Sequence, residues 1–266
     1  MRHTPHPRSG RAFAAATIAL VTTGIFAAPA AAAAPRPAAA TPHVLFSFAG
    51  KPCAGPLFGM IAGAGGVLYG TTSFDLGPDG GCAFSLTPGK SGYTQRTLFR
   101  FAGLHGRKPE GVVADAHGDL FGNTTIGGTD NAGVVFELIP GASGSYTERI
   151  LHNLTGGTDG TQPVGTPVLD AHGDLFGTAA LGGVRCSGIG CGTLFELTPS
   201  GTSFTFRTVH LFTGPPDGAD PEGSGLIPGP HGTLFGTTRS GGTARACGDG
   251  GPGGVHGCGT VYQITP

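Results

Sequence analysis

Short runs of alternating apolar and polar residues recur along the chain, and glycine-rich turns separate them. The clearest set of runs lies at residues 96–101, 111–115, 119–125 and 133–139. Alternation with a period of two, in runs bounded by Gly, Pro and Asn, is typical of short β-strands. The pattern therefore predicts units of four strands.

One stretch shows that these units repeat. The sequence Asp-Ala-His-Gly-Asp-Leu-Phe-Gly occupies residues 115–122 and returns unchanged at residues 170–177, with looser copies at residues 66–70 and 231–236. The leucines of these copies are separated by steps of 52, 55 and 59 residues, and they are Leu68, Leu120, Leu175 and Leu234. A step of this size indicates tandem copies of one supersecondary motif.

Four-stranded units in tandem predict an all-β fold, a four-bladed β-propeller. Residues 43–48 match the fourth-strand pattern but precede the first inner strand at residues 59–63, while the last unit stops after its third strand at residues 259–265. We expect residues 43–48 to complete the last blade, because an open array would leave unpaired strand edges. The alternatives are a half-ring that dimerises into a larger propeller and a β-solenoid.

The repeated turn has a structural interpretation. Asp115 and Asp170 can accept hydrogen bonds from main-chain N–H groups two residues later, and the glycine after each histidine can adopt the positive φ of a tight hairpin. His117 and His172 lie at the tips of these turns. We interpret them as structural, and metal binding is the alternative.

Composition narrows the class of protein. The 266 residues include 52 glycines and are only 12% charged, which is too rich in turns for a helical protein. The formal net charge is −1, which argues against nucleic acid or an anionic membrane as a partner.

The N-terminus has the features of a targeting segment. Arg2, Arg8 and Arg11 precede an apolar run at residues 12–28, and alanine-rich sequence continues to residue 34. We expect residues 1–34 to be a cleaved signal peptide, residues 35–42 an Ala/Pro tether, and residues 43–266 the repeat domain of a secreted protein, extracellular or periplasmic. A retained membrane anchor at residues 12–28 is the alternative, and no other membrane span is expected.

Six cysteines in a secreted chain suggest disulfides. Cys186 and Cys191 lie in one long loop, as do Cys247 and Cys258, so local pairing would restrain each loop. Cys53 and Cys82 remain for each other. A metal site is the alternative, although the C-x-x-C spacing typical of zinc sites is absent.

Binding is expected at one rim. If the strands of each unit run from the axis outward, two kinds of long loop share one rim. The first kind joins a fourth strand to the next inner strand, and the second kind joins a second strand to a third. Short turns form the opposite rim. Residues on the long-loop rim that depart from the repeat pattern are candidate ligand contacts: Arg107, Lys108, Glu110, Arg185, Asp217, Asp220, Glu222, Arg245, Asp249 and His256. Calcium at Asp217, Asp220 and Glu222 is one alternative use, without a known loop spacing.

No nucleophile elbow, P-loop, dinucleotide fingerprint or zinc-protease motif occurs, so no catalytic residue, cofactor or metal is assigned. Glu137 and Glu196 repeat within Phe-Glu-Leu, and we interpret them as a solvated strand face. The sequence favours a non-catalytic binding or scaffold module for an extracellular glycan or protein. The alternative is a glycan hydrolase or lyase, which requires two carboxyl groups at roughly 5 to 9.5 Å.

The units resemble the GloVer (Gloeo/Verruco) tandem repeat, whose pattern joins Leu-Tyr-Gly-Thr-Thr and Gly-Gly to a later Gly-Thr-Val-Phe-x-Leu-Thr-Pro. Matching stretches lie at residues 68–72, 192–199 and 234–242, and the resemblance covers residues 43–266. The third unit departs from it with Thr178-Ala-Ala, and the first lacks the Gly-Gly pair. The resemblance implies a secreted or surface protein and carries no catalytic residues.

Overall fold

A computed structural model describes residues 41–50, 53–73, 80–183, 186, 188–223, 225–244, 247 and 254–266. The chain divides into two units, and the second, Val44–Pro266, contains the strands that the structure describes. Of the first, Met1–His43, only residues 41–43 are described. The expected signal peptide and most of the tether therefore lie outside the described residues. None of the helical turns that the structure describes has the length and apolarity needed to cross a membrane.

The fold is all-β, as expected, and consists of four antiparallel sheets. The first contains β1 (Ile61–Ala62), β2 (Leu68–Thr72), β3 (Cys82–Gly89) and β4 (Gly92–Arg100). The second contains β5 (Arg107–Ala114), β6 (Leu120–Ile126), β7 (Val134–Pro140) and β8 (Tyr146–Asn153). The third contains β9 (Thr161–Leu169), β10 (Leu175–Leu181), β11 (Thr193–Ser200) and β12 (Ser203–Leu211). The fourth contains β13 (Ile227–Pro228), β14 (Leu234–Thr238) and β15 (Thr260–Ile264).

Each sheet is a meander in chain order, because strands that follow one another along the chain are neighbours in the sheet. In the turn between β5 and β6, Oδ1 of Asp115 accepts hydrogen bonds from the N–H groups of His117 and Asp119, both at 2.9 Å. Asp170 does the same between β9 and β10 for His172 and Asp174. Side chains that accept local main-chain bonds stabilise tight turns, so the predicted role of both aspartates is confirmed.

Three hydrophobic cores join successive sheets face to face. Residues such as Leu98, Val112 and Phe136 pack between the first and second sheets. Phe121, Leu175 and Phe195 belong to the core between the second and third. Phe176, Leu226 and Leu234 belong to the core between the third and fourth. Stacked sheets bury apolar faces that a single meander would leave in water.

The fourth sheet differs from the expected blade, because residues 43–48 do not form its outer strand. They carry no strand assignment, and β14 is the strand that pairs with β15. Phe48 instead packs against Phe84 of β3, with ring centroids 5.0 Å apart. Backbone hydrogen bonds, rather than the apolar pattern, define a strand. Closure of the ring by these residues is therefore not observed.

Candidate functional site

The two loops of the long-loop rim meet in each of the last three units through a glycine. A Cβ built on Gly127 would lie 2.6 Å from Cα of Gly106, and one on Gly182 or Gly241 would lie 2.7 Å from Cα of Gly160 or Gly218. These three members of the Gly-Gly pairs also have positive φ, between 80° and 91°. Only glycine allows both the approach and the conformation. The Gly-Gly signature therefore fixes the two loops against each other.

A second backbone feature, a positive φ before a proline, repeats at the start of the inner strands. The residue before a proline has positive φ in every unit: Gly55 (68°), Lys108 (56°), Gln162 (57°) and Asp220 (59°). In the last three units its N–H donates to a carbonyl of the preceding unit, at 2.6, 2.9 and 2.9 Å. A left-handed backbone conformation at a non-glycine residue costs on the order of 1 kcal/mol and persists where surrounding contacts stabilise it. The sequence analysis missed this feature, which the recurring X-Pro dipeptide signals.

All six cysteines form disulfides with the expected partners. Cys53–Cys82, Cys186–Cys191 and Cys247–Cys258 have Cα–Cα distances of 5.5, 5.2 and 5.2 Å. No described cysteine is free. Cys186 and Cys191 are buried in the core between the third and fourth sheets. The Cys53–Cys82 bridge therefore attaches a rim loop to β3, and the other two bridges each close one rim loop on itself.

Asp217 stabilises its own loop. Its Oδ2 accepts hydrogen bonds from the N–H of Thr213 at 3.1 Å and lies 3.0 Å from Nε2 of His210. Asp159 makes the same contacts in the third unit, with the N–H of Thr155 at 2.9 Å and Nε2 of His152 at 3.0 Å. A repeated carboxylate with these partners is a loop cap. Asp217 is thus a structural residue rather than a departure from the repeat.

Two turns could present metal ligands. Within the described part of the chain, three such groups come within 4.8 Å of one another at Asp115, His117 and Asp119 and at Asp170, His172 and Asp174. Asp217, Asp220 and Glu222 form no such group. Burial raises the pKa of Asp115, but hydrogen bonds from His117 and the N–H of Asp119 outweigh it and hold this pKa below its ordinary value. Since the turn already uses Asp115 and Asp170, we assign no metal to either.

Glu110 is buried, and both of its oxygens have partners. Oε1 accepts from the hydroxyl of Thr125 at 2.7 Å, and Oε2 accepts from the N–H of Gly165, in the third sheet, at 3.0 Å. Burial raises the pKa of Glu110 against these hydrogen bonds, and the charge of Glu222 adds to the rise. Glu110 therefore connects the inner strands of two sheets and does not face a ligand.

Asp220 and Glu222 are close to Arg239. Asp220 is 1% exposed and lies 3.6 Å from the Arg239 guanidinium, and the exposed Glu222 lies 3.4 Å from it. Burial raises the pKa of Asp220 to about 6, the charge of Glu222 adds to the rise, and Arg239 opposes it. A raised carboxyl pKa is a feature of many catalytic sites. A carboxyl this deeply buried, however, cannot contact a substrate.

One cavity on this rim belongs to the fourth unit. It has a volume of about 620 Å³ and is lined by Pro215, Pro216, Gly242, Thr243, Ala244 and His256. These residues come from both kinds of long loop, and the segment with His256 lies beside the Cys247–Cys258 bridge. Among the predicted ligand contacts that the structure describes, His256 lines this cavity.

A second cavity occupies the equivalent place in the second unit. It has a volume of about 480 Å³ and is lined by Gly103, Leu104, Arg107, Gly127, Gly128 and Asn131. Leu104 is 66% exposed. Both cavities lie where the loop after an outer strand meets a Gly-Gly loop. Arg185, Arg245 and Asp249 are outside the described residues, so their predicted place on the rim is not tested.

The interpretation of Glu137 and Glu196 as a solvated strand face is wrong. They are 4% and 7% exposed and form ion pairs with Arg149 and Arg207 on the neighbouring strand. The Arg149 guanidinium also lies over the ring of Phe204, 5.8 Å from its centroid. Because the next sheet covers this face, a charged residue there requires a partner.

The repeat can now be compared with known proteins. A family described as the Gloeobacter/Verrucomicrobia repeat matches residues 35–246. The chain belongs to this repeat family. The Gly-Gly pairs and Asp-capped hairpins described above are thus features of a Gloeobacter/Verrucomicrobia repeat protein. No curated protein matches the chain.

Proposed function

We propose that this repeat protein is a secreted, non-catalytic binding module that holds an apolar side chain of an extracellular protein in the rim cavity of its fourth unit. In this proposal, a cleaved signal peptide (residues 1–34) and a short tether precede a four-bladed β-propeller. Three disulfides support an oxidising location. The observation that carries the binding role is the cavity of about 620 Å³ between the long loops.

The lining of this cavity favours a protein over a glycan. Its wall is made mainly of two prolines, an alanine and a glycine, and the polar groups come from Thr243 and His256. Sugar rings are usually held by an aromatic platform with many hydrogen-bonding groups, and the chain has no tryptophan. Rigid apolar pockets with few polar groups suit hydrophobic anchor residues.

The carboxylates support a non-catalytic role. Glycosidase chemistry needs two accessible carboxyl groups across a cleft. Both oxygens of Glu110 have partners, and Asp220 is 1% exposed. Among the described carboxyl groups, Glu110 and Asp220 therefore do not form the accessible pair that the hydrolase or lyase alternative needs.

The test is a binding screen of the mature chain, residues 35–266, against a displayed peptide library and a glycan array. We expect enriched peptides that share one apolar anchor residue. Thr243→Trp, which fills the cavity, should weaken binding of these peptides by at least about tenfold. The matched control is Lys90→Trp, which adds the same side chain at an exposed hairpin away from the cavity. Glycan binding without peptide binding, or equal affinity of the two variants, would overturn the proposal.

A further inference from the structure

The three four-stranded sheets hold their outer strands in one register. Val135 of β7 is opposite His152, and Leu194 of β11 is opposite His210. In all three sheets, the pairing between the third and outer strands shifts register immediately after this position. The residue after the outer strand donates its N–H to a glycine carbonyl, as Phe101 does to Gly81 at 2.9 Å. A shared irregularity indicates that outer strands dock on the third strand in one defined way.

The fourth sheet has the third strand, β15, but the structure describes no outer strand beside it. In its place is a cleft of about 130 Å³ lined by Phe212, Tyr262, Ile264 and their neighbours. Val261 of β15 is 80% exposed, whereas its equivalents Ala83, Val135 and Leu194 are 0% exposed. An apolar strand with an open edge is a site for strand addition.

Phe48 makes the contact that the residue after an outer strand makes in other sheets. Phe101, which follows the first outer strand, packs on Phe136 of the next sheet with centroids 4.7 Å apart. Phe212, which follows the third, packs on Tyr262 at 5.2 Å. Phe48 packs on Phe84 at 5.0 Å, although the structure describes no outer strand before it. Phe48 therefore lies on the first sheet as if it ended the outer strand of a preceding sheet.

Contacts between successive inner strands connect the sheets within one chain. The hydroxyl of Thr71 in the first sheet donates to the carbonyl of Glu110 in the second at 2.5 Å, and Oε2 of Glu110 accepts from the N–H of Gly165 in the third at 3.0 Å. Thr166 of the third sheet pairs with Gly225, in the segment before the fourth. The four sheets follow one another in chain order, so the sheet that would precede the first in a ring is the fourth sheet of the same chain.

We propose that residues 44–48 add to the open edge of β15 in the same chain, with Val44 opposite Tyr262, Phe46 opposite Val261 and Ser47 opposite Thr260. The N–H of Phe48 then donates to the carbonyl of Gly259. This register copies the other three sheets residue for residue. The proposal rests on the propeller frame and does not depend on a rim ligand.

The Cys53–Cys82 bridge assists this docking. Cys82 begins β3, next to the face on which Phe48 packs, and Cys53 lies five residues after Phe48. The bridge therefore limits how far residues 44–48 can move from the first sheet. A short tethered segment has a high effective concentration at a nearby edge.

The test is a cross-link in the full mature chain. Ser47→Cys with Thr260→Cys should form a disulfide within the monomer under mild oxidation, since directly opposed residues have suitable Cα separations. Ser47→Cys with Ile227→Cys is the matched control, because Ile227 lies on the inner strand of the same sheet, and it should remain reduced. Peptide mapping would verify the three native bridges.

Each result has a defined meaning. The proposal is supported if the cysteines at positions 47 and 260 cross-link within monomers and the control pair does not. It is overturned if the cysteines at positions 47 and 260 do not cross-link. A cross-link between two chains also overturns it, because a second copy would then supply the strand. Hydrogen exchange provides a check without new cysteines: Phe48→Ala should speed exchange at residues 260–264, and unchanged exchange would contradict docking. If cross-linking fails while peptides still bind, the rim function stands and the closure does not.

Discussion

The second and fourth units share their first three strands in the same order, but the structure describes an outer strand only in the second, and only the second is covered on both faces. In the second unit, Val134, Val135 and Phe136 are all 0% exposed. In the fourth, the equivalent residues alternate: Thr260 and Tyr262 face the third sheet, and Val261 is 80% exposed. The difference shows that neighbouring sheets, rather than the strands themselves, provide most of the burial in this repeat.

The largest difference in stability between the two units is expected when the central aromatic ring is removed. Phe136→Ala should lower the free energy of unfolding by about 3–5 kcal/mol, because a fully enclosed ring leaves a cavity. Tyr262→Ala, at the equivalent position of the fourth unit, should cost less than half as much, since the residue is only partly buried. Urea denaturation of the oxidised proteins measures both. Equal costs would show that the fourth unit is as well covered as the second.

A smaller effect is expected one residue earlier. Val135→Ala should cost about 2 kcal/mol, and Val261→Ala less than about 1 kcal/mol, in proportion to the apolar area that each buries. Docking of residues 44–48 would place Phe46 beside Val261, and cross-strand pairs contribute roughly 0.2–1 kcal/mol. The cost of Val261→Ala should therefore vanish in a Phe46→Ala background. An unchanged cost in that double mutant would argue against the pairing.

The smallest effect concerns pH. Lys108 of the second unit and Asp220 of the fourth occupy equivalent positions, and burial raises the pKa of Asp220 from 3.8 to about 6. An acid whose folded pKa is raised destabilises the fold as it ionises, so stability is lost as pH rises from about 4 to about 6. Asp220→Asn should remove this loss, which is on the order of 1 kcal/mol.

The matched control for the pH experiment is Lys108→Gln, which changes a charge at the same place in the repeat without altering a carboxyl group. Its stability relative to wild type should stay constant between pH 4 and pH 6, because the substitution leaves the carboxyl group of Asp220 in place. If Asp220→Asn behaves like this control, the carboxyl of Asp220 has an ordinary pKa in the folded protein.

Local features of the fold could be predicted from the sequence. The strands around Leu120 and Leu175, the Asp115 and Asp170 turns and the three disulfides depend on residues close in the chain or on simple pairing arguments. Features set by a neighbouring sheet could not. Alternation places Glu137 on one face of its strand, but only the stacking shows that the third sheet covers that face. The same limit explains residues 43–48, whose apolar pattern is that of a strand without specifying its partner.

The candidate site was predicted less well. The long-loop rim was chosen from the loop lengths, and the structure does place two cavities there. Four of the described charged residues expected to face a ligand have side-chain partners within the protein, and they are Glu110, Asp217, Asp220 and Glu222. The small residues that line the larger cavity gave no signal, because Pro215, Gly242 and Ala244 are common in any turn-rich loop.

The contact between Gly127 and Gly106, with its counterparts in the next two units, has a consequence for how such proteins diversify. Beyond the Gly-Gly pair, the second unit continues for residues 129–132, the third for residues 184–191 and the fourth for residues 243–258 before the next strand resumes. Since the crossing point depends on the close approach of two glycine backbones, we expect insertions beyond it to leave the sheets undisturbed. New recognition surfaces can arise there by lengthening alone, while the scaffold is inherited intact.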